Sequence, residues 1–144
     1  MMQEYITFFS NHALLSIVWV ILLGMLIYSF GRHFLSSVKE VSSQQLSLVV
    51  NKQDGVVVDV RGQEKFGKGH IPGALNAPMS QVKEKNFSHI EKFKDNPIIL
   101  VCEDGQESRN AGRIMQQQGF SKVSTLKGGL VEWRAASMPL TKKR

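Results

Sequence analysis

The chain of 144 residues is poor in cysteine, proline and histidine, and these shortages narrow the kinds of protein it can be. A single cysteine excludes a disulfide-stabilised scaffold and a zinc site built from several thiolates. The four histidines lie without the helical spacing of metal ligands, so we predict no metal site. The G-x-S-x-G motif of serine hydrolases is also missing. The length allows one ordinary domain and little more.

Positive charge is missing from the first 31 residues, which contain no lysine or arginine. Residues 13–30 form an apolar run that would span about 27 Å as a helix, close to the roughly 30 Å of a bilayer core. We therefore predict a short N-terminal segment, residues 1–12, and one transmembrane helix, residues 13–31. A cleaved signal peptide is the alternative, but the basic residues that precede the apolar core of such a peptide are lacking.

The distribution of charge predicts the orientation of the chain in a membrane. All 18 lysines and arginines lie at or after Arg32, so the part that follows the span should stay in the cytoplasm, with the N-terminus outside. That part is strongly basic, which suits a position beside anionic lipid. Lys142, Lys143 and Arg144 are typical of a solvated tail, so we predict no nucleic-acid partner.

The remaining residues predict a linker (32–40), one domain (41–140) and a basic tail (141–144). Within the domain, three apolar, mostly β-branched runs indicate strands, over residues 56–60, 97–101 and 123–126. Helices are predicted after Ser42, which can cap a helix, and over residues 108–118, before Gly119. Strands that are apolar throughout are typical of a parallel sheet covered by helices on both faces. The predicted class is therefore α/β.

The only cysteine, Cys102, lies where the second predicted strand ends and a six-residue loop leads into a helix. Ligands of open α/β sheets bind at the carboxyl ends of the strands. Gly105 permits the backbone angles that turn successive N–H groups inward, and the helix dipole adds positive charge at the same place. Both effects would stabilise a thiolate, a bound anion or a persulfide. We therefore expect Cys102 to be reactive rather than inert.

Four groups of residues resemble the rhodanese family of sulfurtransferases in its single-domain form, over about residues 41–140. They are Asp59-Val60-Arg61, the Glu64-Lys65-Phe66 turn that leads to residues 69–74, the loop from Val101 to Ser108, and residues 126–129 followed by Trp133. With the predicted span in front, the chain is similar to small membrane-anchored rhodanese-like proteins of the bacterial inner membrane.

The resemblance implies a rhodanese-like domain with a central parallel five-stranded sheet flanked by helices, and a catalytic Cys102 that carries sulfur as a persulfide. It implies a loop that binds the substrate and the persulfide, made of Glu103, Asp104, Gly105, Gln106, Glu107 and Ser108. Asp59, Arg61 and Arg109 would support this loop, and Gly128 and Gly129 would shape a nearby wall. The implied partners are a sulfane-sulfur donor such as thiosulfate and a thiophilic acceptor, either a small thiol or a protein thiol. No cofactor is implied.

The loop departs from the family pattern, because Glu103, Asp104 and Glu107 are acidic where many members carry basic residues. We expect this negative charge to repel thiosulfate. Related phosphatases use C-x5-R, whereas Cys102 and Arg109 enclose six residues, so the guanidinium lies one residue late for clamping a phosphate. A second hypothesis therefore stays open: a rhodanese-fold module that recruits a protein partner to the inner membrane, with Cys102 incidental or regulatory.

Overall fold

The computed structural model describes residues 1–35 and 37–143, which form two compact units, Met1–Ser37 and Val38–Arg144. Ser36, in the predicted linker, and Arg144, in the predicted tail, lie outside the described residues. The first unit contains two helices, α1 (Met2–Asn11) and α2 (Ala13–Leu35).

The first unit includes one stretch, Ala13–Gly31, that is long and apolar enough to cross a membrane, and none of it is buried within the protein. Its 19 residues coincide with the predicted span, and α2 continues beyond them to Leu35. By length and composition, a helix of this kind near an N-terminus serves as a membrane anchor or as a signal sequence.

The second unit is built on a parallel sheet of five strands in the order β1-β5-β4-β2-β3. The strands are β1 (Lys39–Val41), β2 (Val56–Asp59), β3 (Leu75–Asn76), β4 (Ile98–Val101) and β5 (Val123–Leu126). The α/β class and the five-stranded parallel sheet are therefore confirmed. The structure differs from the predicted linker in one respect, because Lys39 and Glu40 pair with β5 in the sheet.

In the described part of the second unit, four helices and one 3-10 turn (Glu91–Phe93) connect these strands, and a fifth helix follows β5. The helices are α3 (Ser43–Lys52), α4 (Gln63–Lys68), α5 (Met79–Lys83), α6 (Gln106–Gln117) and α7 (Gly129–Ala135). The helix predicted to begin at Ser108 begins two residues earlier, at Gln106. Half of the predicted six-residue loop after Cys102 is therefore the first turn of α6. The helix ends before Gly119 as predicted, and the N–H of Phe120 bonds back to the carbonyl of Met115.

The core lies on both faces of the sheet, with β4 at its centre. Ile98, Leu100 and Cys102 face the cluster that includes α5 and α6, whereas Ile99 and Val101 face the cluster that includes α3 and α7. All four residues of β4 are at most 1 % exposed, because helices cover the strand on both sides. The rigid central strand thereby fixes where its carboxyl end, and hence Cys102, lies.

The C-terminal residues bond to the region around α4. The backbones of Thr141 and His70 form an antiparallel bridge with two hydrogen bonds of 2.8 Å. The N–H of Lys143 bonds to the carbonyl of Gly67, and the indole of Trp133 donates to the carbonyl of Pro139 at 2.9 Å. The segment predicted as a solvated tail therefore has a fixed backbone as far as Lys143.

The first helix of the domain carries a reciprocal cap. The Ser42 hydroxyl accepts the Gln45 N–H at 3.2 Å, and the Gln45 side chain accepts the Ser42 N–H at 2.9 Å. We predict that Ser42→Ala lowers the free energy of unfolding by about 1 kcal/mol, because an amide of the first turn loses its acceptor. Urea unfolding of the full chain in mild detergent, followed by the fluorescence of buried Trp133 in a Trp19→Phe background, measures the change.

Ser47→Ala is the matched control for this cap. Its hydroxyl bonds only to the carbonyl of Ser43 within the same helix, so its removal should change the free energy by less than about 0.5 kcal/mol. An equal loss in the two variants would contradict the assigned role of the cap.

Candidate active site

The Cys102 sulfur lies directly beyond β4 and is nearly closed to solvent, with the residue only 1 % exposed. Two backbone amides point at it: the Gly105 N–H at 3.0 Å and the Ser108 N–H at 3.4 Å from Sγ. Converging amides of this kind favour a negatively charged sulfur, because they donate to it without the cost of burying a counter-charge. The loop therefore binds its own cysteine sulfur as an anion site would bind a ligand.

The orientation of these amides depends on α7. The N–H of Leu130 donates to the carbonyl of Cys102 at 2.9 Å, and the N–H of Val131 donates to the carbonyl of Glu103 at 3.1 Å. These bonds satisfy two amides of the first turn of α7 and hold both loop carbonyls toward that helix. The backbone comes this close because residue 129 is glycine.

A Cβ at Gly129 would lie 2.5 Å from the carbonyl oxygens of Cys102 and Glu103, and its φ of +61° is in the left-handed region. Both facts require glycine. Gly105 also has a positive φ, +94°, which reverses the chain between the end of β4 and α6. Glycine is thus required at two places, within the loop at Gly105 and at the start of α7 at Gly129.

Side-chain oxygens complete the surroundings of the sulfur. The Ser108 hydroxyl donates to the carbonyl of Gly105 at 3.0 Å and lies 3.5 Å from Sγ, so its lone pairs can accept the thiol proton. Asp104 Oδ1 lies 3.7 Å from Sγ and accepts the N–H of Gln106 at 3.0 Å, at the start of α6. Each oxygen is an acceptor for the uncharged thiol, whereas the amides favour the anion.

Arg61 connects the end of β2 to the loop. Its guanidinium donates to both carboxylate oxygens of Asp59, at distances from 2.7 to 3.1 Å, and to the carbonyl of Gly69 at 2.7 Å. Its remaining nitrogen lies 3.3 Å from Glu103 Oε2. The Asn76 amide donates to the carbonyls of Asp59 and Arg61, which fixes the turn between them. The buried Asp59–Arg61 pair is therefore satisfied from several directions.

Two side chains of this network have shifted pKa values. Burial disfavours the charged form of Arg61, but the hydrogen bonds and charges of Asp59 and Glu103 outweigh it and raise the pKa of the guanidinium. A hydrogen bond from Arg134 lowers the pKa of Glu103 against the effect of partial burial, and the charges of Arg134 and Arg61 add to that lowering. Glu103 is therefore an anion held between two cations at neutral pH.

A family model of the rhodanese-like domain matches residues 42–136. The chain belongs to the rhodanese-like domain family. The uncharacterized protein YibN of Escherichia coli K12 is 35 % identical over 141 residues, which cover 98 % of this chain and 99 % of YibN. The thiosulfate sulfurtransferase GlpE of Pseudoalteromonas translucida is 35 % identical over 100 residues, which cover 68 % of this chain and 90 % of GlpE.

A solved structure shows the same fold. The BH2092 protein of Bacillus halodurans superimposes with a TM-score of 0.64 at 26 % identity, over 83 % of this chain and 86 % of that protein.

The rhodanese-like domain brings three of the predicted loop residues into contact with the Cys102 sulfur. Gly105, Ser108 and Asp104 contact it, and Arg61 reaches Glu103 of the loop. Gln106 and Glu107 are exposed and, with Arg61, Lys65 and the start of the loop, line an open groove.

Arg109, predicted to support the loop, bonds elsewhere. Its Nε lies 3.1 Å from Glu40 Oε1, an acid of β1. The guanidinium therefore pairs with the edge of the sheet, and no contact with the Cys102 sulfur is seen for it among the described residues. In the described part of the chain, no cluster of His, Cys, Asp and Glu could hold a metal ion.

Sequence reasoning missed Arg134 and Asn76. Arg134 lies in the last turn of α7, far along the chain from the loop, and its ion pair with Glu103 depends on how α7 packs. Asn76 is one of only two residues in β3, a strand too short to show a periodic pattern. Neither position has a local signal that separates it from an ordinary exposed arginine or turn asparagine.

We predict that Gly129→Ala lowers the free energy of unfolding by roughly 2–4 kcal/mol, because the new methyl group overlaps two carbonyl oxygens and the backbone is left-handed. Urea unfolding in detergent measures this loss. Gly73→Ala is the matched control, since φ there is +79° but nothing lies within 4 Å of the added Cβ. It should cost only the backbone strain, about 1–2 kcal/mol. If the two variants lost the same free energy of unfolding, the added methyl group at residue 129 would not clash with the carbonyls of the loop.

Proposed function

We propose that this protein is a sulfurtransferase that carries sulfane sulfur as a persulfide on Cys102, and that it does so from a membrane anchor. The observation that carries the proposal is the pair of amide donors, from Gly105 and Ser108, directed at a cysteine sulfur at the end of the central strand. The similarity to GlpE, whose name states thiosulfate sulfurtransferase activity, supports the same reaction class.

In the first half-reaction, the Cys102 thiolate attacks the outer sulfur of a sulfane donor such as thiosulfate. A bond forms between Sγ and that sulfur, the S–S bond of the donor breaks, and sulfite leaves with the bonding electron pair. The amides of Gly105 and Ser108 stabilise negative charge on the sulfur before and after the transfer. Where the cysteine starts uncharged, the carboxylate of Asp104, whose Oδ1 lies 3.7 Å from Sγ, receives the thiol proton.

In the second half-reaction, a thiolate acceptor attacks the outer sulfur of the Cys102 persulfide. The acceptor becomes the persulfide, and Cys102 leaves as a thiolate in the same amide environment. No electrons enter or leave the protein over the cycle, so the reaction needs no redox cofactor. Partners of this class are a sulfane-sulfur donor and a small thiol or protein thiol.

We also propose the cellular arrangement: a single pass through the bacterial inner membrane, the N-terminus outside and the rhodanese-like domain in the cytoplasm. The apolar stretch Ala13–Gly31 and the absence of cations before Arg32 support it. Anionic lipid is then the neighbour of a basic domain. A membrane protein that receives the sulfur is a further candidate partner.

Loading with sulfur is the direct test of the reaction. After thiosulfate treatment, the intact mass of the full chain should rise by one sulfur atom, and dithiothreitol should remove it. Cys102→Ser should abolish the gain while leaving the fold intact, because the change is small. The double variant Cys102→Ser/Ser121→Cys is the control, since it moves the thiol to an exposed position outside the loop and should not load.

Failure of the wild-type chain to load, with thiosulfate or with a neutral persulfide donor, would contradict the proposed chemistry. That result would favour the alternative, a module that recruits a protein partner to the membrane. Equal loading of the Ser121→Cys control would show that the loop adds nothing to the thiol.

Topology is tested with a green fluorescent protein fused after Arg144, which should fluoresce because the C-terminal side stays in the cytoplasm. A variant with Gln3 and Asn11 changed to lysine, and Arg32 and Lys39 changed to glutamine, should lose much of that fluorescence, because the charge bias is reversed. Protease digestion of the wild-type domain from the periplasmic side would contradict the orientation.

A further inference from the structure

A second groove lies beside the loop and shares Arg61, Lys65 and Glu103 with the groove that Gln106 and Glu107 line. Its volume is about 450 Å³, within the range of small-molecule sites. Four cations and one carboxylate provide its charged lining: Arg61, Lys65, Lys68, Arg134 and Glu103. Two of these cations also pair with other carboxylates, Arg61 with Asp59 and Lys68 with Glu64, so the groove keeps a modest excess of positive charge, although the loop itself is acidic.

The carboxylate of Glu103 bridges the two arginines of this groove. One oxygen lies 3.3 Å from the Arg61 guanidinium, and the other accepts a hydrogen bond from the Arg134 guanidinium. A carboxylate held between two guanidiniums is the arrangement that also recognises a carboxylate ligand. The Glu103 carboxylate thus occupies the position that a ligand carboxylate would take between the two guanidiniums.

The two arginines differ in how firmly they are held. The Arg61 side chain is 4 % exposed and fixed by Asp59 and Gly69, so its position does not depend on Glu103. Glu103 and Arg134 are exposed by 41 % and 47 %, so both can move without disturbing the core. Displacing Glu103 therefore leaves a preformed cation in place and frees a second one.

We propose that this groove is a subsite for the carboxylate of a small thiol or persulfide substrate, and that Glu103 occupies it until the substrate displaces it. Glu103 follows Cys102 directly in the chain, so the groove that its carboxylate occupies borders the catalytic loop. The assignment of the ligand as a substrate rests on the proposed sulfur transfer, whereas its binding can be measured separately.

The subsite also reconciles an acidic loop with an anionic substrate. While Glu103 occupies the groove, it adds little net negative charge at the entrance, because its charge is shared with two guanidiniums. Thiosulfate has no carboxylate to place there and should gain little from the displacement. Substrates that carry a carboxylate at a distance from the sulfur should gain most.

The test is calorimetric binding of S-methylmercaptosuccinate to the full chain in neutral detergent at 0.15 M salt. This probe has two carboxylates and no reactive thiol, and its dimethyl ester is the uncharged comparison. Glu103→Gln should tighten binding of the diacid about tenfold, because the competing carboxylate is lost but the side-chain shape stays. Arg134→Gln should weaken it at least about fivefold, and in the double variant the gain from Glu103→Gln should largely vanish.

Glu132→Gln is the matched control, because it removes the same charge from an exposed position on α7 that does not line the groove. It should change the affinity by less than about twofold, since salt screens exposed charges beyond about 8 Å. Arg134→Lys keeps the charge and controls for a folding defect in Arg134→Gln. It should bind the diacid more tightly than Arg134→Gln does.

Equal gains from Glu103→Gln and Glu132→Gln would overturn the subsite, because net charge alone would explain them. An unchanged affinity in Glu103→Gln, or equal binding of the dimethyl ester, would overturn it as well. Sulfur loading of the same wild-type sample separates the two proposals. If the wild-type chain loads sulfur but Glu103→Gln binds the diacid no more tightly than wild type, only the subsite is refuted. If the variants show the expected affinities but the wild-type chain does not load, sulfur transfer is refuted and a carboxylate site remains.

Discussion

The site depends on two hydrogen bonds between the start of α7 and the loop that follows β4. They fix the peptide planes of Cys102 and Glu103 with the carbonyls turned toward α7. Once those planes are fixed, the chain can turn through Gly105 and direct the amides of Gly105 and Ser108 at the sulfur. The anion-binding character of the loop is therefore a property of backbone orientation, to which the acidic side chains around it contribute little.

The sheet order explains why such a loop and its supporting groups meet. β4 lies between β2 and β5, so the ends of the three strands lie side by side at one edge. The end of β2 supplies Asp59 and Arg61, the end of β4 supplies Cys102, and the chain after β5 supplies Gly129. Parallel pairing in register thus converts three distant sequence segments into one site.

Much of this arrangement follows from the sequence. Three apolar runs predicted the buried strands β2, β4 and β5, and Ser42 and Gly119 marked helix ends where the structure has them. Motif order predicted the family and placed Asp59, Arg61 and the loop together. The edge strands β1 and β3 had no comparable signal, because they are three and two residues long.

The remaining differences between expectation and structure concern side-chain direction. Arg109 follows the loop in sequence, but α6 begins at Gln106, and the side chain of Arg109 pairs with Glu40. Glu103 was expected to be repulsive, but two arginines neutralise it, one of them Arg134 of α7, which lies 31 residues later in the chain. Such pairings depend on rotamers and packing between elements, which local sequence patterns do not encode. The burial of the Cys102 sulfur also results from packing between elements, and it has a chemical consequence. Because Cys102 is only 1 % exposed, bulky disulfides lack an in-line approach to its sulfur, which disfavours the formation of mixed disulfides. In the proposed cycle, addition of one sulfur would place the outer sulfur about 2 Å from Sγ, so the atom that the acceptor attacks would be less deeply enclosed than the cysteine sulfur itself.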